Sequence, residues 1–283
     1  MLRFPDDPAT VRVLEAYGVP PSALLGSGGE AQVYALDQER VLRLHRPGPS
    51  AATIARRASL LAELAANDPA LPFAIPEVLE QAQLHERWVT IERRLPGRAL
   101  SELLGELDGA RRDSLVLSYL EAGQRLAQIP LQRAFYGDLL RDDAIHAASF
   151  RQYLEQRARR SLTASGEPLA QIDAAPLAAA LPEATEPAFV YLDFYPSNVL
   201  VAAGHVTAVV DFGGAAIVGE KRFAAVVPAT GLPPRDEPLV LAWLRSQSLS
   251  ELYAPTRDWM AAFWSFARDD GPLFEWCQSV LLR

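Results

Sequence analysis

The segment between Asp193 and Asp211 constrains the fold of this chain more than any other part of the sequence. Asn198 follows Asp193 by five residues, and Gly204 separates two short apolar runs between Asn198 and Asp211. This pattern predicts a hairpin. A hairpin brings its ends together, so the Asn198 carboxamide and the Asp211 carboxylate are expected to share its open end, with Asp193 just upstream. Two hard oxygen ligands on a rigid base suit Mg²⁺, and Asp193 is free to accept a proton from a hydroxyl.

A glycine-rich segment near the N-terminus is a second candidate site. Gly26, Ser27, Gly28 and Gly29 lie between two predicted strands. Glycines there allow backbone N–H groups to approach a phosphate, which side chains would prevent. The segment is not a Walker loop, because no Gly-Lys-Ser/Thr follows and the next element is a strand. A glycine-rich hairpin turn without a ligand is the alternative interpretation.

The near absence of lysine restricts which cation could contact a phosphate. Of the 27 basic residues 26 are arginine, and Lys221 is the only lysine. The cation on the third predicted strand must therefore be an arginine, and Arg43 is the best placed, although a solvated strand residue is the alternative. A glutamate is expected to orient it. Glu63, the only acid of the helix predicted over 51–66, and Glu30 are rival candidates.

Composition and charge exclude several classes of protein. The chain has 283 residues, of which 49% are hydrophobic and 22% charged, which excludes wholesale disorder. The net charge of −8 argues against a nucleic-acid or anionic-membrane partner. The longest uncharged stretch, 194–210, contains Pro, Asn, Gly and His and is no membrane span. The first residues lack an apolar signal core, so a cytoplasmic location is expected. Cys277 is the only cysteine, which excludes an intrachain disulfide and a cysteine metal site.

Hydrophobic patterning predicts two regions that meet at residues 95–98. Residues 1–95 predict a short helix, three strands, a helix over 51–66 and two more strands, which together form a small, mostly antiparallel sheet with one helix. Residues 96–283 are predicted to be mostly helical with one β island. The helices are expected over 101–107, 111–128, 149–164, 239–247 and 256–282, the last broken near 271, and the β island over 189–210. The expected fold class is α+β.

These features together resemble the aminoglycoside phosphotransferase family of small-molecule kinases, a distant branch of the protein-kinase fold. The Asp-to-Asn spacing followed by a hairpin and Asp-Phe-Gly is similar to the kinase catalytic and metal loops, and the resemblance extends from about residue 24 to the C-terminus. It implies a bilobal fold with an N-lobe over 1–95 and a C-lobe over 96–283. It also implies that Asp193 is the catalytic base and that Asn198 and Asp211 hold Mg²⁺. The backbones of Glu92 and Arg94 would hold adenine in the cleft near residue 95. Residues 136–140 and 150–154 look like the family's inserted helices.

The resemblance implies Mg²⁺-assisted phosphoryl transfer from ATP or GTP to a hydroxyl of a small molecule, either an aminoglycoside or another hydroxylated metabolite. A small-molecule acceptor is favoured because the region after Gly214, which is predicted to be loop and helices, lacks the Ala-Pro-Glu segment of protein kinases. The family's His-Gly-Asp is replaced by Tyr191, Leu192 and Asp193, and its following His by Tyr195. These departures motivate the alternative, a pseudokinase-like nucleotide-binding module without turnover. The sequence assigns neither the acceptor nor the oligomeric state, because acceptor loops vary on a shared fold.

Other residues are given structural roles. From residue 133 onward there are 18 acidic and 13 basic residues, an excess too ordinary to indicate a cationic substrate. The arginine pairs at 56–57, 111–112 and 159–160 are predicted to lie on solvated helix faces. Four aromatic residues near the C-terminus are expected to pack in the core rather than line a substrate pocket. They are Trp259, Phe263, Trp264 and Phe266.

Overall fold

The computed structural model describes residues 7–68 and 70–283; the first six residues, used above for the expected location, and Pro69 lie outside the described residues. The N-terminal part of the chain forms a five-stranded antiparallel sheet in the order β1-β2-β3-β5-β4. Its strands are β1 Leu24–Ser27, β2 Ala31–Ala35, β3 Arg40–His45, β4 Val78–Leu84 and β5 Arg87–Arg93.

The two faces of this sheet have different chemistry. One face is apolar, and its Leu42 and Ile91 form a buried cluster with Val13 and Leu14 of helix α1 (Pro8–Tyr17). On the other face Arg43, Thr90 and Glu92 are buried. Side chains alternate between the faces of a strand, so the polar residues at every second position of β3 and β5 share this face. It is covered by helix α2 (Ala51–Asn67), which the Ser50 side chain caps by accepting from the Thr53 N–H at 3.2 Å.

The C-terminal part is mostly helical and contains two small sheets. Its helices are α3 Leu100–Glu106, α4 Gly109–Leu126, α5 Phe150–Ser165, α6 Ala174–Ala179, α7 Lys221–Thr230, α8 Glu237–Ser246, α9 Ser250–Trp264 and α10 Gly271–Leu281. Its strands are β6 Arg98–Ala99, β7 Tyr136–Asp138, β8 His146–Ala147, β9 Pro187–Tyr191, β10 Val199–Ala202, β11 His205–Val209 and β12 Ala216–Glu220. The strand orders are β11-β10-β6 and β8-β7-β12-β9. No helix within the described ranges is long and apolar enough to cross a membrane.

The predicted α+β fold class, with a small sheet N-lobe and a mostly helical C-lobe, is confirmed. The predicted hairpin is also present, since β10 pairs with β11 in antiparallel register, with Val199 opposite Val209. Only residues 94–97 separate β5 from β6. Because β6 pairs with β10, it belongs to the sheets of the C-terminal part. The domain boundary at residues 95 and 96 stays a prediction.

Two local predictions are wrong. Residues 216–220 form β12 instead of loop or helix; all five are buried, so the strand shows none of the alternation that marks a half-exposed one. Residues 136–138 form β7 and not an inserted helix. Gly137 has φ +139°, outside the helical region, and a Cβ there would lie 2.0 Å from the Ile145 carbonyl oxygen.

Candidate active site

The open end of the β10–β11 hairpin brings the predicted catalytic and metal-binding residues together. The Val210 N–H donates to the Asn198 carbonyl at 2.8 Å, which closes the hairpin beside Asp211. The Asn198 carboxamide nitrogen donates to the Asp193 carbonyl at 2.9 Å, so its oxygen is the atom that remains to coordinate a cation. Asp193, Asn198 and Asp211 line one cavity of about 1010 Å³.

Tyr191 positions the loop that carries Asp211. Its Oη lies 3.0 Å from the Val210 carbonyl oxygen and 2.9 Å from that of Asp211, and its ring stacks on Phe212 with centroids 4.7 Å apart. Asp211 has φ +61°, a conformation that costs energy for a residue with a side chain and persists only where its surroundings impose it. Leu192, the substitution for the family's glycine, is fully buried and is not among the residues with positive φ.

Burial and two nearby carboxylates act on Asp193. Burial raises its pKa most, the negative charges of Asp211 and Glu30 raise it further, and a hydrogen bond from Asn198 lowers it, which leaves the pKa at about 8. A pKa near the operating pH suits a group that accepts a proton during the reaction and releases it afterwards, although at neutral pH most of this carboxyl is protonated before a cation binds beside it.

The glycine-rich segment is the turn of the β1–β2 hairpin. Gly28 and Gly29 line the cavity, whereas Gly26 and Ser27 belong to β1, where they pair with Val33 and Gln32 of β2. A Cβ at Gly28 would lie 3.4 Å from Asp211 Oδ2, so this carboxylate oxygen faces the turn. The Gly28 N–H already donates to the Ala31 carbonyl at 2.9 Å. Of the two glycines that line the cavity, Gly29 is therefore the one whose amide is not shown to be engaged within the turn.

Arg43 is buried beside Asp211 and is not a solvated strand residue. Its guanidinium donates to Asp211 Oδ1 at 2.6 Å, and only 5% of its side chain is exposed. Neither expected glutamate is its main partner. Glu63 pairs with Arg133 on the surface, so that candidate is wrong. Glu30 lies 3.9 Å from Arg43 and accepts the Gly214 N–H at 2.8 Å.

The structure contradicts the predicted adenine contacts of Glu92 and Arg94. The Arg94 N–H donates to the Glu39 carbonyl at 2.7 Å, so this donor is not free. Glu92 lies inside the sheet, opposite Val41 of β3 and Val78 of β4. The sequence did not show that Glu92 still lies in β5 and that Arg94 lies in the turn that follows it. In both places the backbone is hydrogen-bonded or paired to neighbouring segments.

The cleft contains a buried ion pair that the sequence did not reveal. Arg57 of α2 donates to the two Glu92 carboxylate oxygens at 2.6 and 3.2 Å, and its Nε donates to the Phe212 carbonyl at 2.8 Å. Burial alone would raise the pKa of Glu92, but Arg57 and Arg43, with hydrogen bonds from Arg57 and Thr90, hold it at about 2. Arg57 thereby ties α2 and the sheet to the loop that carries Asp211 and Phe212.

The prediction of solvated helix faces is therefore wrong for Arg57, and it is also wrong for Arg112, which is buried against Asp236. One signal was available for Arg57. Its spacing from Ile54, Leu61 and Leu64 places it on the apolar stripe of the helix. Arg141, which the sequence analysis did not single out, also reaches the cavity and pairs with Asp143.

The oxygen atoms of Asn198 and Asp211 suit Mg²⁺, which needs few protein ligands, and do not suit a metal ion whose ligands all come from the protein. Among residues 7–68 and 70–283 no group of three or more His, Cys, Asp and Glu side chains could hold a metal ion. Asn198 and Asp211 offer hard oxygen atoms on one rigid hairpin. Mg²⁺ is commonly bound by one or two such protein groups, with phosphate oxygens and water completing its shell.

Comparison with known proteins agrees with this geometry. The model of a family described as "Phosphotransferase enzyme family" matches residues 23–217. A search of curated proteins finds no match. The fold is similar to that of a GDP complex of aminoglycoside 2′-phosphotransferase-IIIa, at a TM-score of 0.64 and 12% identity over 96% of each chain. It is also similar to a streptomycin–ATP complex of APH(2″)-IIa, at 0.59 and 14% over 98% of this chain and 96% of that one.

A third similar structure is APH(3″)-Id from Streptomyces rimosus, with a TM-score of 0.56 and 13% identity over 91% of this chain and 97% of that one. Identities this low establish a shared fold and leave the acceptor unassigned. The family model, in contrast, covers more than half of the sequence and includes the glycine turn, Asp193, Asn198 and Asp211. The chain therefore belongs to the phosphotransferase enzyme family.

Proposed function

We propose that this protein transfers the γ-phosphoryl group of ATP, or of GTP, to a hydroxyl of a small molecule with the help of Mg²⁺. Membership of the family supports nucleotide-dependent phosphoryl transfer in general. The observation that carries the proposal is that Asp193, Asn198, Asp211 and the turn glycines 28 and 29 line the same cavity. A base, two oxygen ligands and a phosphate-binding turn are thus held within one space.

The proposed reaction has one covalent step. The acceptor oxygen attacks the γ-phosphorus and forms a new O–P bond. The bond from the γ-phosphorus to the β–γ bridging oxygen breaks, and the nucleoside diphosphate leaves with that electron pair. The acceptor proton passes to the Asp193 carboxylate, whose backbone is fixed by the hydrogen bond from Asn198. Catalysis of this kind depends on positioning and electrostatic stabilisation.

The phosphate end of the cavity is assigned to the two oxygen ligands, the glycine turn and Arg43. Asn198 and Asp211 would hold Mg²⁺, which supplies positive charge beside the transferred phosphoryl group. Arg43 donates a hydrogen bond to Asp211 Oδ1. The other oxygen, Oδ2, faces the glycine turn, where a cation and a phosphate would lie. The planar guanidinium offers further N–H donors to phosphate oxygens.

The alternative function, a nucleotide-binding module without turnover, is favoured by one observation. The Arg43–Asp211 pair at 2.6 Å already balances the charge of the proposed metal ligand. If Arg43 stayed paired with Asp211, the site would bind a nucleotide either weakly or without a metal ion. Mg²⁺-dependent turnover separates the two functions, because the alternative predicts none.

Titration calorimetry with a non-hydrolysable ATP analogue tests the metal site. Binding to the unmodified protein is expected to require Mg²⁺, and Asp211→Ala is expected to abolish that requirement together with most of the affinity. Asp270→Ala is the matched control, because Asp270 is another carboxylate that lines the same cavity. Unchanged Mg²⁺-dependent affinity in Asp211→Ala would contradict the assignment.

A further inference from the structure

The cavity that contains Asp193 also has an aromatic wall. Tyr195, Trp264 and Phe266 line it. The ring centroids of Tyr195 and Trp264 are 6.0 Å apart, and those of Trp264 and Phe266 are 5.9 Å apart with the rings 28° from parallel. The expectation that these C-terminal aromatic residues pack in the core holds for Trp259 and Phe263, whereas Phe266 is 37% exposed. Neighbouring aromatic faces of this kind favour a flat apolar ring.

Two atoms of this wall are suited to a neutral polar partner. The Tyr195 Oη and the Trp264 Nε1 are buried and have no hydrogen-bond partner among the described residues. Buried polar groups are nearly always hydrogen-bonded, and leaving one unpaired costs free energy. A hydroxyl or ether oxygen of a ligand that reached the indole N–H could accept from it, whereas an ammonium group, which only donates, could not.

The aromatic wall continues into a second cavity of about 810 Å³. Tyr195 and Leu273 are among the residues that line both cavities. The second cavity adds mostly apolar surface, from Leu232, Val240, Tyr253 and Trp276. Its charged lining residues are Glu237, Arg257 and Arg283. Arg257 is paired with Asp258 at 3.5 Å, which leaves Glu237 and Arg283 as charges of opposite sign. An acceptor that extends beyond the catalytic cavity would therefore meet apolar walls and little net charge.

The charges near the aromatic wall do not suit a polycation. Arg112 is balanced by Asp236, whose two oxygens accept from it at 2.8 and 2.6 Å. Arg235 donates to the Leu104 carbonyl at 2.7 Å, and no carboxylate of the described residues lies within 4.0 Å of its guanidinium. Asp270 is the one carboxylate of the described lining residues at this end, the other three lying around the phosphate site. Several ammonium groups in this cavity would thus share a single carboxylate, and Glu237 is the only one that the second cavity adds among its described lining residues.

We propose, on the basis of the function proposed above, that the acceptor is a hydroxylated compound with an aromatic ring that is neutral or singly charged. Its ring lies against Trp264 and Phe266, and one of its hydroxyls reaches Asp193. An aryl glycoside represents this class. Two separate observations define this class of acceptor. The aromatic wall favours a flat ring, and the few carboxylates near that wall disfavour a polycation.

Calorimetric binding of three probes tests this inference without requiring turnover. The probes are phenyl β-D-glucopyranoside, methyl β-D-glucopyranoside, which has the same sugar without the ring, and the polycation kanamycin. We expect the phenyl glucoside to bind about tenfold more tightly than the methyl glucoside, the scale of an aromatic contact, and more tightly than kanamycin. Trp264→Ala is expected to remove the preference for the ring, and Trp264→Phe to retain part of it. Trp88→Ala is the matched control, because Trp88 lies on β5 and lines neither cavity.

Each outcome is decisive for the acceptor class. Tighter binding of kanamycin, equal affinity for the two glucosides, or no binding of either glucoside would overturn the inference. A preference for the ring that survives Trp264→Ala in a folded variant would overturn the assignment to this wall. Failure of the proposed function gives a different result, namely an intact preference for the ring in a protein that shows no Mg²⁺-dependent nucleotide binding.

Discussion

Removing Arg57 is expected to destabilise the protein severely, because it leaves a buried carboxylate without its cation. The Arg57 and Glu92 side chains are each 6% exposed, and the Phe212 carbonyl also depends on Arg57. Breaking a buried pair on one side costs about 3–5 kcal/mol. We therefore expect Arg57→Met and Glu92→Met each to lower the free energy of unfolding by about 3–5 kcal/mol.

The double variant distinguishes a buried pair from two independent contacts. With both charges replaced by apolar side chains, the main remaining cost is the unpaired Phe212 carbonyl, about 1–3 kcal/mol. The double variant is thus expected to be more stable than either single variant. Arg56→Met is the matched control, because the neighbouring arginine lies on the surface with 41% of its side chain exposed; its effect is expected to stay within about 0.5 kcal/mol.

Urea unfolding followed by tryptophan fluorescence measures all four variants. A loss below about 1 kcal/mol for Arg57→Met would refute the reasoning, because no buried carboxylate would then have lost its partner. Additive losses in the double variant would refute it as well, since they would show that the two side chains do not interact.

Two further predictions concern the polar face of the N-terminal sheet. Burial, with the positive charges of Arg43 and Arg57, lowers the pKa of His45 to about 3, so only the unfolded state takes up its proton as the pH falls below 6.5. Between pH 6.5 and 5 the unmodified protein should lose about 1.6 kcal/mol more stability than His45→Gln; equal losses by urea titration would contradict this. Arg43→Ala is expected to weaken Mg²⁺-ATP binding by about 1.5–3 kcal/mol, and Arg43→Lys to recover part of it. Equal calorimetric affinities for the three proteins would show that Arg43 does not contact the phosphates.

Local patterns in the sequence predicted the centre of the site, and distant pairings could not be predicted. The hairpin that joins Asn198 to Asp211 follows from a glycine between two apolar runs, all within a short segment. The ion pair of Arg43 with Asp211 spans 168 residues and that of Arg57 with Glu92 spans 35. Helical spacing marks Arg57 as a residue of the buried stripe, but nothing local identifies Glu92 as its partner, because the fold alone brings the two segments together.

The errors in secondary structure have a similar origin. β12 is buried along its whole length, so it lacks the alternating pattern from which a strand is recognised. The backbone contacts of Glu92 and Arg94 depend on β3, β4 and the turn before β3, which are separate segments of the chain. Sequence reasoning therefore placed an adenine contact where the structure has sheet pairing.

The most direct test of the central claim compares the turnover of Mg²⁺-ATP by the unmodified protein and by Asp193→Asn. Turnover is measured as the loss of the γ-phosphoryl group from ATP, with and without a hydroxyl acceptor. The exchange removes the proton acceptor and keeps the size of the side chain. Turnover is expected to fall by about 100-fold or more, while the calorimetric affinity for the Mg²⁺-nucleotide changes little. Turnover that is equal in the two proteins would contradict the account, because Asp193 would then not be the residue that accepts the proton.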